Sequence, residues 1–170
     1  VGCYRAQLFQ LFFLLEDGCA AMGSSYRGQN VGVFGDMASF SFYFGHQIST
    51  IEGGMVSTDN PVFYDQLMML RSHGWGKDLP AASQAKLIDQ YQIDDFHSPF
   101  VFYEAGYNLR STDLNAFLGI RQVAKMEWLI KRRSENHARY SKHFGNRLTY
   151  QQAPANSIVS FCAAAGAAAA

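Results

Sequence analysis

Ser39-Phe40-Ser41-Phe42-Tyr43-Phe44-Gly45-His46-Gln47-Ile48-Ser49-Thr50-Ile51-Glu52-Gly53-Gly54-Met55-Val56-Ser57-Thr58 is the stretch whose reading decides the fold. Phe40, Phe42 and Phe44 alternate with Ser41 and Tyr43, a period of two that predicts a strand buried on at least one face. The strand is expected to run out at Gly45. His46 then falls on the first irregular residues beyond it, where a strand end presents a side chain to a cleft. Gly53 and Gly54 mark a tight backbone path before Met55, Val56 and Ser57 resume an extended run. An imidazole delivered by a buried strand and flanked by hydroxyls and glycines is a candidate site.

Upstream, the apolar run Leu8 to Leu15 predicts a short, fully buried strand with Glu16 and Asp17 at its carboxyl end. Ligands of open α/β sheets gather outside the carboxyl ends of strands, so acids there are informative. Gly18 to Gly23 is expected to form a short helical turn, and Tyr26 to Gly35 a hairpin turning at Gly28 and Gly32. Downstream, Asp59-Asn60-Pro61 is a strong helix start, with a capping side chain and then proline. Phe63, Leu67 and Leu70 share one face of that helix, and Gly74 terminates it. Residues 75 to 105 are expected to be an irregular functional loop. From Ser111 the pattern turns helical through Leu114, Phe117, Leu118, Met126, Leu129, Ile130 and Arg133 to Phe144, and Gly145 ends it. Ser157 to Phe161 is expected to be a final strand.

The chain has 170 residues and no net formal charge. That neutrality leaves no basic surplus for nucleic acid or an acidic membrane surface. A hydrophobic share of 48%, with 14 Phe and 9 Tyr, is ample for a packed core. No apolar run reaches the roughly 18 residues of a membrane span, and no signal-peptide cleavage site is legible. Cys3, Cys19 and Cys162 are odd in number and far apart, so neither a disulfide framework nor a zinc or iron–sulfur site is expected. A reducing, cytoplasmic setting follows. The alanine-rich tail, residues 162–170, is left out of the functional reading.

Several residues could carry chemistry. Asp17 is either a solvent-facing acid capping the next turn or a carboxylate paired with a cationic ring nitrogen of a cofactor. Ser41 is either satisfied by neighbouring backbone or a donor to a phosphate at the strand end. His73, near a helix end, is favoured there by the dipole. Asn108 and Arg110, in Gly106-Tyr-Asn-Leu-Arg-Ser, either cap the following helix or serve a phosphate or carboxylate.

Taken together, Glu16-Asp-Gly-Cys-Ala-Ala-Met-Gly, Gly35-Asp-Met-Ala-Ser-Phe-Ser-Phe-Tyr, Glu52-Gly-Gly, Leu70-Arg-Ser-His-Gly and Gly106-Tyr-Asn-Leu-Arg-Ser-Thr-Asp resemble, in order and spacing, the DegT-like nucleotide-sugar aminotransferases. The resemblance covers roughly residues 14 to 148. It implies an α/β fold: part of the large domain of a fold-type I pyridoxal-phosphate enzyme, a mostly parallel sheet flanked by helices, running into the start of the small domain. Residues 1–110 are assigned to the large domain without its N-terminal half, and 111–170 to a connecting helix and the start of the small domain. The implied cofactor is pyridoxal 5′-phosphate or pyridoxamine 5′-phosphate. Asp17 is implied on its ring nitrogen, Ser41 on its phosphate and His46 as acid/base. Asn108 is implied on the cofactor phosphate of a neighbouring subunit, with a homodimer sharing its active sites, and His73 and Arg110 as substrate contacts. No metal is implied.

Two departures from the family pattern matter. Family members hold the cofactor through a lysine five residues after the strand serine, and here that position is His46. Within the family a histidine there marks sugar 3-dehydratases, so a GDP-linked 4-keto-6-deoxyhexose is the expected substrate, with glutamate restoring the amine form. A lysine-less aminotransferase relative and an inactive fragment are the alternatives. Ala20, three residues after the aspartate, replaces the polar side chain usual in the family.

Overall fold

The computed structural model describes residues 12–150, 152–161 and 166–168. Cys3, Cys162, the first part of the Leu8–Leu15 run and most of the alanine tail lie outside them. The chain divides into two units, Thr58–Ser111 and the remainder on either side of it.

The larger unit is built on a three-stranded sheet. Strands β1 (Leu15–Asp17), β4 (Met37–Ser41) and β5 (Gly54–Ser57) lie in the order β1-β4-β5. β1 runs parallel to β4 with Asp17 opposite Ser39, and β5 runs antiparallel to β4 with Gly54 opposite Ser41. Between them in sequence, β2 (Ser25–Tyr26) and β3 (Gln29–Asn30) form a hairpin. Arg27 and Gly28 turn it, both at positive φ (50° and 80°), as a two-residue hairpin loop demands. One face of β4 carries Ala38 and Phe40 into a core shared with Met22 and Ile48, against which Val31, Phe42, Met126 and Leu129 pack. Burying Phe40 contributes about 1.5–3 kcal/mol.

Two expectations about these strands are corrected. β4 ends at Ser41, not Gly45. Phe42 leaves the ladder: its N–H donates to the Gly53 carbonyl, and its own carbonyl accepts from the Thr50 N–H, so the chain folds over itself. Phe44, read as a buried strand residue, is 69% exposed. β1 is not fully buried either, since Leu15 is 63% exposed. It pairs only with β4 among the described residues and sits at the sheet edge.

Downstream in the same unit, α3 (Asp113–Val123) and α4 (Met126–Phe144) replace the single long helix expected. They part at Lys125, whose N–H reaches the Gln122 carbonyl three residues back instead of four. Thr112 caps α3 in a reciprocal capping box with Asn115. The final strand shrinks to β7 (Ser157–Ile158), antiparallel to β2, and β6 (Leu148–Tyr150) pairs with β8 (Gly166–Ala168).

The unit Thr58–Ser111 begins with α1 (Pro61–Leu70), capped by the Asn60 side chain on the Val62 N–H with proline at its start. Beyond it, a further helix replaces much of the expected loop: α2 (Ala81–Tyr91) starts after Pro80 and stops at Gln92, in the left-handed conformation. The chain then returns alongside the end of α1. The Tyr107 and Leu109 N–H groups donate to the Leu70 and Arg71 carbonyls, and Tyr103 donates to Gly74. No described helix is long and apolar enough to cross a membrane.

Candidate active site

β1 and β4 are parallel, so Asp17 and Ser41, the last residue of each, end at the same margin of the sheet. Glu16 and Asp17 point to opposite faces because successive strand residues alternate. Glu16 is consumed structurally: its carboxylate accepts from the backbone N–H groups of Gly32 (2.9 Å), Phe34 (2.7 Å) and Gly35 (2.7 Å). Asp17 is exposed and accepts the Cys19 N–H at 3.1 Å. The Cys19 thiol and backbone N–H hold its carboxyl below the usual carboxylate range, and the charge of His46 adds to the lowering. The Cys19 thiol is pushed up in turn by the same carboxylate. Gly18 lets this turn lie against the core, because a Cβ there would stand 2.6 Å from the Phe40 ring.

Ser41 begins the excursion that carries His46. The Tyr43 N–H donates to the Ser41 hydroxyl oxygen at 3.2 Å, leaving the hydroxyl proton available for another acceptor. The His46 N–H closes a turn onto the Tyr43 carbonyl at 3.0 Å, and the two rings meet edge-on at 5.9 Å. The half-buried His46 lies near enough for its charge to be felt at Asp17. Asp17, Ser41 and His46 thus share one margin of the larger unit.

Three residues that sequence reasoning passed over fix this excursion. Gln47, 3% exposed, donates its amide to the Ala20 carbonyl (2.7 Å) and the Ser160 carbonyl (3.1 Å). Arg133 of α4 donates to the carbonyls of His46 (3.1 Å) and Phe161 (3.1 Å). Asn115 of α3 donates to the Thr50 carbonyl at 2.7 Å. Arg133 fell on the apolar face of a helical pattern, and only its neighbours in space give it a meaning.

His73, Asn108 and Arg110 lie in the other unit, and all three are exposed. His73 adopts positive φ (63°) and donates its N–H to the Tyr107 carbonyl at 2.7 Å. Asn108 forms a β-bridge with Ser72, so His73 and Asn108 stand on neighbouring rungs of one backbone ladder. Arg110 follows two residues later.

An exposed, ionised carboxylate, a hydroxyl with a proton to donate and a half-buried imidazole at one sheet margin match what a pyridine ring with a phosphate arm requires: an anion for a protonated ring nitrogen, a phosphate donor and a proton carrier. The residues present fit such a group.

Comparison with known proteins places the chain in one family. The profile of the DegT/DnrJ/EryC1/StrS aminotransferase family matches residues 7–164. GDP-4-keto-6-deoxy-D-mannose 3-dehydratase of Yersinia pseudotuberculosis is 37% identical over 134 residues, 79% of this chain and 34% of that protein. UDP-4-amino-4,6-dideoxy-N-acetyl-beta-L-altrosamine transaminase of Campylobacter jejuni is 34% identical, over 77% of this chain and 30% of its own. The solved structure of Escherichia coli GDP-4-keto-6-deoxy-D-mannose-3-dehydratase with bound hydrated PLP superimposes with a TM-score of 0.75 at 30% identity, covering 88% of this chain and 38% of that one. The chain therefore spans about a third of the length of the relatives it matches.

Proposed function

This chain belongs to the DegT/DnrJ/EryC1/StrS aminotransferase family, and on that premise we propose that it forms part of a pyridoxamine-phosphate-dependent nucleotide-sugar 3-dehydratase. The substrate is a GDP-linked 4-keto-6-deoxyhexose whose C3 hydroxyl leaves as water; ammonia and the 3-deoxy sugar are released, and glutamate restores the amine. The observation that carries this reading is His46, five residues after Ser41 and near enough for its charge to be felt at Asp17; the resemblance sets it where the family keeps a lysine. Imidazole has no primary amine with which to tether an aldehyde cofactor.

Pyridoxamine phosphate, when bound, would supply an amine for the C4 ketone and an electron sink for departure of the C3 oxygen. Asp17, held ionised, keeps a proton on the ring nitrogen. Ser41 donates its hydroxyl proton to the phosphate. His46 accepts a proton at the C4′ carbon and, as imidazolium, delivers one to the leaving C3 oxygen. Asn108 serves the phosphate of a second copy in a homodimer, and His73 and Arg110 contact the substrate. In the whole protein, residues 1–110 belong to the large domain and 111–170 lead into the small one, in a cytoplasmic setting.

The test is His46→Lys in the full-length protein. Water elimination at C3 is expected to fall at least about 100-fold, while the cofactor becomes resistant to dialysis. Elimination at the original rate would refute the reading. The Campylobacter transaminase supports a second one, nitrogen transfer to the sugar. It is the better account if the unaltered protein yields a 4-amino sugar that keeps its C3 oxygen.

A further inference from the structure

We propose that Gln47 and Arg133 are positioning residues that clamp His46 to the site, and that the carbonyls of Ser160 and Phe161 are the anchor on which the clamp is built. The proposal rests on the acid/base reading of His46 above. Both tethers have the same form. Gln47 uses one amide nitrogen to join the turn after Asp17, through the Ala20 carbonyl, to the Ser160 carbonyl. Arg133 uses one guanidinium to join the His46 carbonyl itself to the Phe161 carbonyl. Two consecutive carbonyls of one extended segment are thereby linked to the backbone on the two sides of the candidate site.

The anchoring segment is itself held. The Ser160 N–H donates to the Ser24 hydroxyl at 2.9 Å, the Ser134 hydroxyl of α4 donates to the Val159 carbonyl at 3.0 Å, and β7 pairs with β2. Ser160 and Gln47 are both buried, so the bond between them lies away from water, where a hydrogen bond is costly to leave unmade, while the other tether bonds are part-buried. The guanidinium reaches two carbonyls in a fixed fork, a geometry lysine cannot copy. Gln47 acts here as a double donor: its amide oxygen is buried without a partner among the described residues. Its identity is therefore set by the two N–H groups.

The full-length protein tests this. Gln47→Glu sets a carboxyl oxygen against two carbonyl oxygens. Ionised, it repels both; protonated, it donates to one. At neutral pH its kcat is expected to fall at least about tenfold, with KM within about twofold, since the defect is in placement and not in binding. Activity returns in part as pH falls toward the carboxyl's own pKa, an acid-side recovery absent from the parent. Arg133→Met lowers kcat similarly, and Arg133→Lys restores part of it. A second readout needs no cofactor: amide hydrogen exchange over residues 42–50 accelerates in both Gln47→Glu and Arg133→Met, while that over β4 is unchanged. Folded variants whose kcat and exchange equal the parent's overturn the clamp; if Gln47→Glu does not fold, the Arg133 pair decides alone. His46→Asn, assayed in parallel, separates the two readings. If it keeps the parent rate, the acid/base role of His46 fails. If it is inactive while the clamp variants match the parent, only the clamp fails.

Discussion

Asp17 and Cys19 form a coupled pair two residues apart, and their shifts have opposite signs because each acts on the other. The thiol and N–H of Cys19 favour the Asp17 carboxylate, whereas that carboxylate disfavours a Cys19 thiolate and leaves the thiol a poor nucleophile. Because the folded carboxyl titrates below its unfolded value of about 3.9, its contribution to stability is present above about pH 4 and is lost as pH falls through the folded value. Cys19→Ala removes the thiol and keeps the backbone N–H bond. Carbon-13 titration of the Asp17 carboxyl is then expected to move up toward the ordinary value. A titration curve superimposable on the parent's would show that the thiol does not act on Asp17.

At the level of the element, the end of α1 is held by glycine. Gly74 has φ of 86°, its N–H reaches back to the Met69 carbonyl, and an added Cβ would lie 1.7 Å from the Glu104 carbonyl oxygen. Gly74→Ala is expected to cost about 2–4 kcal/mol, from backbone strain and forced separation of the two chain segments. The urea midpoint measures it; a shift of less than a tenth of the total stability would contradict the packing described. The sequence foretold this terminator, and the Asn60–Pro61 start as well, because caps are local. It misplaced elements whose limits are set by distant partners. The Phe40-Phe42-Phe44 alternation is as regular as any strand, yet the Gly53 and Thr50 backbones take Phe42 out of the ladder. α2 was hidden by the polar run Ala81-Ala-Ser-Gln-Ala-Lys, although Pro80 followed by eleven residues free of Gly and Pro was a legible signal. In the candidate site, Asp17 and Ser41 could be placed from the ends of their strands, and His46 only from its spacing of five residues behind Ser41. Gln47, Asn115 and Arg133 could not, because their partners lie 27 to 113, 65 and 28 to 87 residues away.

At the scale of the whole molecule, many large apolar side chains among the described residues are exposed. On α3, Leu114 (78%), Phe117 (62%) and Ile120 (70%) face solvent. Phe117→Ser is therefore expected to change the stability of this chain by less than about 0.5 kcal/mol while reducing the fluorescence of a bound apolar dye. A larger loss of stability would mean that Phe117 is packed within the chain. The same reasoning applies at the sheet margin, where β1 has β4 on one side only among the described residues and follows Phe12, Phe13 and Leu14, all exposed. A strand margin beside greasy side chains is a template for another extended polypeptide. Handled alone at high concentration, this chain would be prone to recruit its own copies along that seam, and a lysine grafted there would be the natural gatekeeper.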